Sequence, residues 1–222
     1  MLKMAIIGIS GKMGKRLYEY FKDSFDIIGI DQINFSDVKT YKHLSEVEDK
    51  IDIVVDFSSI HAVDELKYAI DNKILTLSGT TGYDIKFINE LVEKSNNLFY
   101  WSCNYANGIE LFSNIAKSIK KHYPLFDFVE IHASTKKDSP SGTAKKLAYD
   151  LNIDENQIQS LRLMQAPPIH ELIFCSKYER ITIRHEVIDS TAFLDGFNAK
   201  LKELLGEWDN AKKIIWSRIF RL

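Results

Sequence analysis

Lys3-Met4-Ala5-Ile6-Ile7-Gly8-Ile9-Ser10-Gly11-Lys12-Met13-Gly14 is the stretch that decides the fold. An apolar run from Lys3 stops at a glycine-rich turn, and beyond it Met13, Leu17 and Phe21 recur at helical spacing. Asp26–Asp31 (DIIGID) reads as a second buried strand. Strand, glycine turn, helix, strand is the order of a βαβ nucleotide-binding unit. The glycines follow GxxGxxG, and the backbone demand is that of a dinucleotide turn. One glycine lets the chain reverse, one lets main chain approach a pyrophosphate, and one lets helix and strand pack closely. A helix starting there offers unpaired amides and its positive dipole end to phosphates. Gly8, Gly11, Lys12, Met13 and Gly14 are therefore candidate dinucleotide-binding residues.

Asp31 ends the second strand at the distance beyond the glycines expected of a ribose-binding acid. A carboxylate there accepts bonds from ribose hydroxyls and repels a 2′-phosphate, and no Arg or Lys follows until Lys39. The reading favours NADH over NADPH, with Lys12 the one nearby cation that could assist a phosphate.

The alternation continues outward. Ile51–Ser58 (IDIVVDFS) is a near-continuous apolar strand of the kind buried on both faces of a parallel sheet. Val63, Leu66 and Ile70 mark a helix, Ile74–Leu77 a strand, Ile85, Ile88 and Leu91 a helix, and Leu98–Cys103 a strand. After Asn104 the pattern changes. Ile109, Phe112, Ile115 and Ile119 line a longer helix ending near His122-Tyr123-Pro124. Strand-like runs then cluster at Phe128–Thr135, Gln157–Leu163, Ile169–Ser176 and Glu179–Val187, with a helix interposed. The class is α/β: an N-terminal Rossmann-type doubly wound parallel sheet and a second, α+β domain containing a mixed sheet. The expected domains are a dinucleotide-binding domain over 1–104 and a substrate-binding and oligomerisation domain over 105–190. The helical segment of about 191–222 is expected to pack back on the first domain. The apolar tail Ile214-Ile215-Trp216 to Ile219-Phe220 suits docking onto the protein's own core or a subunit partner.

Composition narrows the partners. With 222 residues, 45% of them hydrophobic, the chain can bury a substantial core. A net charge of −2 argues against nucleic acid. No apolar run reaches the roughly 18 residues needed to span a bilayer, and no secretory leader is evident, so no membrane partner and a cytoplasmic location are expected. Cys103 and Cys175 lack CxxC spacing and read as buried, inert thiols, and the histidines form no clustered ligand pattern, so no metal site is expected.

The chemistry is expected in Glu130–Thr143 (EIHASTKKDSPSGT). Continued as an extended chain, this run points His132, Ser134 and Lys136 to one side, which places an imidazole and an ammonium on one surface. Ser139-Pro140 reads as a cap and first-turn proline, so a helix is expected to start there. Its amides, with the Ser141 and Thr143 hydroxyls, form an anion site for an acidic substrate.

The sequence resembles the 4-hydroxy-tetrahydrodipicolinate reductase (dihydrodipicolinate reductase) family of the diaminopimelate route to lysine. The match covers nearly the whole chain: GISGKMG at Gly8–Gly14, VVDFSS at Val54–Ser59, SGTTGY at Ser78–Tyr83, CNYANGIEL at Cys103–Leu111, EIHASTKKDSPSGTA at Glu130–Ala144, PIHELIF at Pro168–Phe174 and ERITIRHEVIDSTAF at Glu179–Phe193. The resemblance implies reduction of a cyclic dicarboxylate by NAD(P)H bound at the glycine turn, with Phe57, Ser58, Gly79, Thr80 and Thr81 near the cofactor. It puts Cys103, Asn104 and Tyr105 there too, the last two at a hinge. His132 becomes the acid/base residue and Lys136 the general acid. Gly142 and Thr143, with Ser141, bind a substrate carboxylate, and the assembly is a homotetramer formed through C-terminal sheets. The chain departs from the family where a second histidine and basic residues usually follow the first; here Ala133, Ser134 and Thr135 stand. Met164-Gln165 and Pro168 replace customary glycines. Two other readings remain open: the same fold and hydride chemistry on another small acidic substrate, or a non-catalytic dinucleotide-binding protein. Joint retention of His132, Lys136 and Ser141-Gly142-Thr143 argues against the second.

Overall fold

The computed structural model describes residues 1–96 and 98–219, the side chains of residue 85 and of 207–219 excepted. The chain forms two compact units, Met1–Asn104 and Tyr105–Leu222.

The first unit is a six-stranded sheet in the order β3-β2-β1-β4-β5-β6, parallel throughout. Its strands are β1 (Lys3–Ile7), β2 (Asp26–Ile30), β3 (Thr40–Tyr41), β4 (Ile53–Asp56), β5 (Leu75–Ser78) and β6 (Phe99–Trp101). The helices α1 (Lys12–Phe21), α2 (Val63–Asp71) and α3 (Ile85–Lys94) make the crossovers. Consecutive residues Met4, Ala5, Ile6 and Ile7 are all buried, so the central strand is covered on both faces, as an unbroken apolar run requires. One core cluster joins Ala5, Ile7, Ile28, Ile30 and Val54 to Ala69, and another packs Leu66 and Ile70 of α2 against Ile88, Leu91 and Phe99. Sequence order reverses between β1 and β4, and ligands of open α/β sheets bind beyond the strand ends at such a switch point. The two-residue β3 was not anticipated, because so short a run carries no periodicity.

The second unit holds α4 (Asn107–Lys120), β7 (Leu125–Ala133), α5 (Gly142–Leu151), β8 (Ile158–Leu163), β9 (Ile169–Cys175), β10 (Arg180–Glu186) and α6 (Thr191–Ile219). Its sheet runs β10-β9-β7-β8, with β7 and β8 parallel and the remaining pairs antiparallel, so the sheet is mixed. The parallel pair is joined through α5, the crossover that parallel strands need. Register makes one sheet face change character along its length. Phe128 opposes Leu172, which opposes Ile183, and Phe126 opposes Phe174; these pack on Phe112 and Ala116 of α4 and on Leu147, Ala148 and Leu151 of α5. Complete burial of Phe128 and Phe174 contributes about 2 kcal/mol each. Two residues further along β7 the same face turns polar, with Glu130 opposite His170 and His170 opposite His185.

Helix α6 lies in the second unit and packs on α4. Phe220 and the side chains of the apolar tail before it lie outside the described residues. Cys103 and Cys175 are half-buried and form no disulfide, where full burial was expected; Cys103 lies just past the end of β6 and Cys175 is the last residue of β9, where cover from the core thins. No helix among the described residues is long and apolar enough to cross a membrane.

Candidate active site

In the first unit the glycine turn follows β1 and leads into α1. Gly8 has φ +80°, and its amide donates to the Ile30 carbonyl at 2.9 Å, which ties the turn to β2. A side chain at Gly14 would place Cβ 2.2 Å from the Gly8 carbonyl oxygen, so helix and turn touch main chain to main chain. The cap of α1 is Gly11, with no side-chain oxygen on its amides. An open helix end beside a backbone cradle that a Cβ would fill fits the diphosphate of a dinucleotide.

Asp31, at the end of β2, reaches back to this turn. Its Oδ2 accepts from the Ser10 amide (3.0 Å) and hydroxyl (2.6 Å), and its Oδ1 from the Ile33 amide (3.1 Å). Burial works to raise this carboxyl, but the Ser10 and Ile33 bonds outweigh it and hold the group below its ordinary range. The sequence placed Asp31 correctly beside the turn and missed Ser10 as its partner.

A second missed residue organises the loops after β4 and β5. Asp56 is fully buried and accepts from the Ser58 hydroxyl (2.6 Å), the Ser78 hydroxyl (2.7 Å) and the Tyr83 phenol (3.2 Å). Burial, then the Asp56 charge, pushes the Tyr83 phenol well up, so it remains a donor. The Ser58 amide also donates to Thr80 Oγ1 at 2.9 Å, and Trp101 Nε1 donates to the Thr80 carbonyl at 2.8 Å. The segments carrying Phe57, Ser58, Gly79 and Thr80 are thus laced together, and the Phe57 ring fills the space where a Gly79 side chain would stand. Thr81 follows in the same loop; Asn104 caps the unit, its carbonyl accepting from the Ser102 hydroxyl at 2.7 Å. Cys103 precedes it, and Tyr105 opens the second unit, buried against Phe197.

The second unit brings most of the other candidates together, by a route different from the expected one. The chain does not stay extended past Ala133: the Lys136 amide bonds the Ala133 carbonyl at 3.0 Å, closing a turn over 133–136. Nor does a helix begin at Ser139. It begins at Gly142 and is capped by Ser141, whose hydroxyl accepts from the Ala144 amide at 3.1 Å. Ser141 is buried, its hydroxyl oxygen accepts from the Ala144 amide, and the Gly142 amide bonds the Asp138 carboxylate.

Glu130 ties the parts together. It is fully buried; its Oε1 accepts from the Ser141 amide (3.0 Å) and Arg162 Nη2 (2.8 Å), and its Oε2 lies 3.2 Å from His132 Nδ1. Burial works to raise this carboxyl, but His132, Ser141 and Arg162 outweigh it and hold it far below the ordinary range, so it is a fixed anion. Arg162 also donates to the Asp138 carbonyl at 2.5 Å, and the Asp138 carboxylate pairs with Lys136 at 2.8 Å. His132, Lys136 and the start of α5 therefore share one polar network. Beside it His170 stacks edge-on against His132 at 5.5 Å between ring centres and lies 6.1 Å from His185. Burial, then the neighbouring histidine charges, pushes His170 down to about 3.

Glu130, Arg162, His170 and His185 were not among the expected site residues. Their signal was register: on adjacent strands they face the same side, which strand pairing reveals and residue spacing does not. Glu130, His132 and His170 bring one ligand-type atom each within 4.8 Å of one another, a cluster invisible to a search for ligand spacing because it joins β7 to β9.

The family descriptions "Dihydrodipicolinate reductase, N-terminus" and "Dihydrodipicolinate reductase, C-terminus" match residues 2–105 and 108–213. The chain is 31% identical to a 4-hydroxy-tetrahydrodipicolinate reductase of Rickettsia canadensis, over 88% of this chain and 90% of that one. It is 30% identical to the enzyme of that name from Caldanaerobacter subterraneus subsp. tengcongensis, over 93% and 94%. Its fold resembles that of a dipicolinate-bound dihydrodipicolinate reductase from Paenisporosarcina sp. TG-14, with a TM-score of 0.76, 20% identity and coverage of 92% and 94%.

Proposed function

The chain belongs to the dihydrodipicolinate reductase family, and on that premise we propose that it reduces 4-hydroxy-tetrahydrodipicolinate to tetrahydrodipicolinate with NAD(P)H and a proton, the 4-hydroxyl leaving as water and the cofactor as NAD(P)+, in the diaminopimelate route to lysine. The observation that carries the site assignment is the shared network of the second unit: one buried carboxylate, Glu130, touches both the imidazole of His132 and the capped start of α5.

In this reading Gly8, Gly11, Lys12, Met13 and Gly14 hold the diphosphate, and Asp31 takes the adenine-side ribose, exchanging its Ser10 bonds for ribose hydroxyls. That carboxylate favours NADH over NADPH. Phe57, Ser58, Gly79, Thr80 and Thr81, with Cys103, Asn104 and Tyr105, line the nicotinamide end. Bound there, the reduced nicotinamide supplies hydride. The amides at Gly142 and Thr143 receive a substrate carboxylate, helped by the positive end of the α5 dipole. The Lys136 ammonium delivers the proton that the reduced ring requires, and His132 serves as its acid/base partner. Ala133 leaves one substrate carboxylate with fewer charged partners, so the dicarboxylate binds less tightly than a second histidine would allow. The working form is a cytoplasmic homotetramer associated through the second sheet.

The direct test generates the substrate in place with the preceding synthase and follows nicotinamide absorbance. Rapid oxidation, faster with NADH than with NADPH, is the expected result. Tight NADH binding without turnover would overturn the assignment in favour of another acidic substrate or of a non-catalytic protein.

A further inference from the structure

The polar end of the second sheet is a two-row array. Glu130 is flanked in register by Ser160 on β8 and His170 on β9, with His185 beyond on β10; one step along, His132 stands opposite Arg162. All face the same side, and all are charged or titratable except Ser160. Within this array the two oxygens of Glu130 have different tasks. Oε1 is committed to two donors, the Ser141 amide and Arg162 Nη2. Oε2 lies 3.2 Å from His132 Nδ1, an ion-pair contact without hydrogen-bond alignment, and neither of those two atoms has a hydrogen-bond partner among the described residues.

We infer that Glu130 is a positioning residue that fixes the ring tautomer of His132, holding the proton on Nδ1 and leaving Nε2 as the atom that exchanges protons with substrate. The inference rests on the acid/base role proposed for His132. A carboxylate has only lone pairs to offer, so the ring atom beside it must carry hydrogen. The neighbours reinforce this. Arg162 keeps Glu130 an anion and Lys136 is occupied by Asp138, so the His132 ring is what faces Oε2. The same carboxylate couples ring orientation to the substrate-facing helix end, since a shift of α5 at Ser141 pulls on Oε1.

The substitution Glu130→Gln makes a sharp test, because the network dictates how the amide sits. Its carbonyl must face the Ser141 amide and Arg162, so its NH2 group faces His132 and donates to Nδ1. That forces hydrogen onto Nε2, the opposite tautomer. Nitrogen-15 spectra of histidine-labelled protein are expected to show Nδ1–H for neutral His132 in the wild type and Nε2–H in Glu130→Gln. Turnover falls about 100-fold with KM and NADH binding little changed. An Nε2–H tautomer in the wild type overturns the inference without any variant, even if Glu130→Gln does not fold. So does a folded Glu130→Gln protein that keeps both its tautomer and its rate. Full turnover in His132→Ala would instead overturn the role of His132 itself, and the tautomer spectra would still judge Glu130 separately.

Discussion

Helices α1 and α5 both present their first amides to a proposed anion, and they are built in opposite ways. The α1 end is made by leaving side chains out: Gly11 caps it without an oxygen, and Gly8 and Gly14 let main chain meet main chain. The α5 end is made by putting side chains in: Ser141 caps it with its hydroxyl, and Glu130 grips the Ser141 amide from β7 while holding Arg162 and His132. The difference suits the two proposed ligands. A diphosphate is met by backbone donors and needs room, so any side chain is an obstruction. A small carboxylate that must be protonated nearby needs its helix end fixed relative to an acid, and a shared buried anion does that.

The largest expected effect breaks the α1 end. In Gly14→Ala the new methyl would lie 2.2 Å from the Gly8 carbonyl oxygen and 2.5 Å from Ile9 Cα, both main-chain atoms that cannot swing aside. NADH binding measured by fluorescence is expected to fall at least about 100-fold, or stability to fall by about 3 kcal/mol. Wild-type affinity and stability together would refute the claim of main-chain contact.

The next effect belongs to the polar end alone. His170 is buried, both its ring nitrogens lack hydrogen-bond partners among the described residues, and it is pushed down to about 3 from 6.5. The unfolded chain therefore takes up a proton below about pH 6.5 that the folded chain refuses until about pH 3. Stability is lost as pH falls through that window, by about 2 kcal/mol between pH 7 and 5. Denaturant unfolding at the two values should show a clearly larger loss in wild type than in His170→Phe, where His185 alone still resists a proton. Equal acid losses in both proteins would assign the sensitivity elsewhere. A smaller change sharpens the comparison from the side of the cap: Ser141→Ala removes the α5 cap and is expected to cost about 1 kcal/mol in thermal or denaturant unfolding. No loss would mean that Glu130 alone holds the helix end.

The same contrast explains what could be read in the sequence. Absence of side chains is written locally, so the glycine turn, the strand before it and the helix after it were legible together, as was Asp31 by its distance. That β1, β2, β4, β5 and β6 form a parallel sheet followed from unbroken apolar runs alternating with helical periods. Contacts among side chains are written nonlocally. Arg162 lies 32 positions beyond Glu130, and His170 and His185 reach the site only because β9 and β10 pair in one register. The extended reading of 132–136 failed because alternation says nothing of where a strand ends, and the turn at Ala133 ends it. The cap was misplaced by two residues because Ser139-Pro140 reads locally as a cap and first-turn proline, whereas Ser141 caps the helix and has its amide held by the distant Glu130.

The central claim is that the second unit supplies the proton for a reduction whose hydride comes from the first. Lys136→Ala tests it most directly, with NADH binding and single-turnover oxidation measured on the same sample. The account predicts unchanged NADH affinity and oxidation slowed by about 100-fold or more. Oxidation at the wild-type rate in Lys136→Ala, with substrate present and cofactor bound, would contradict it.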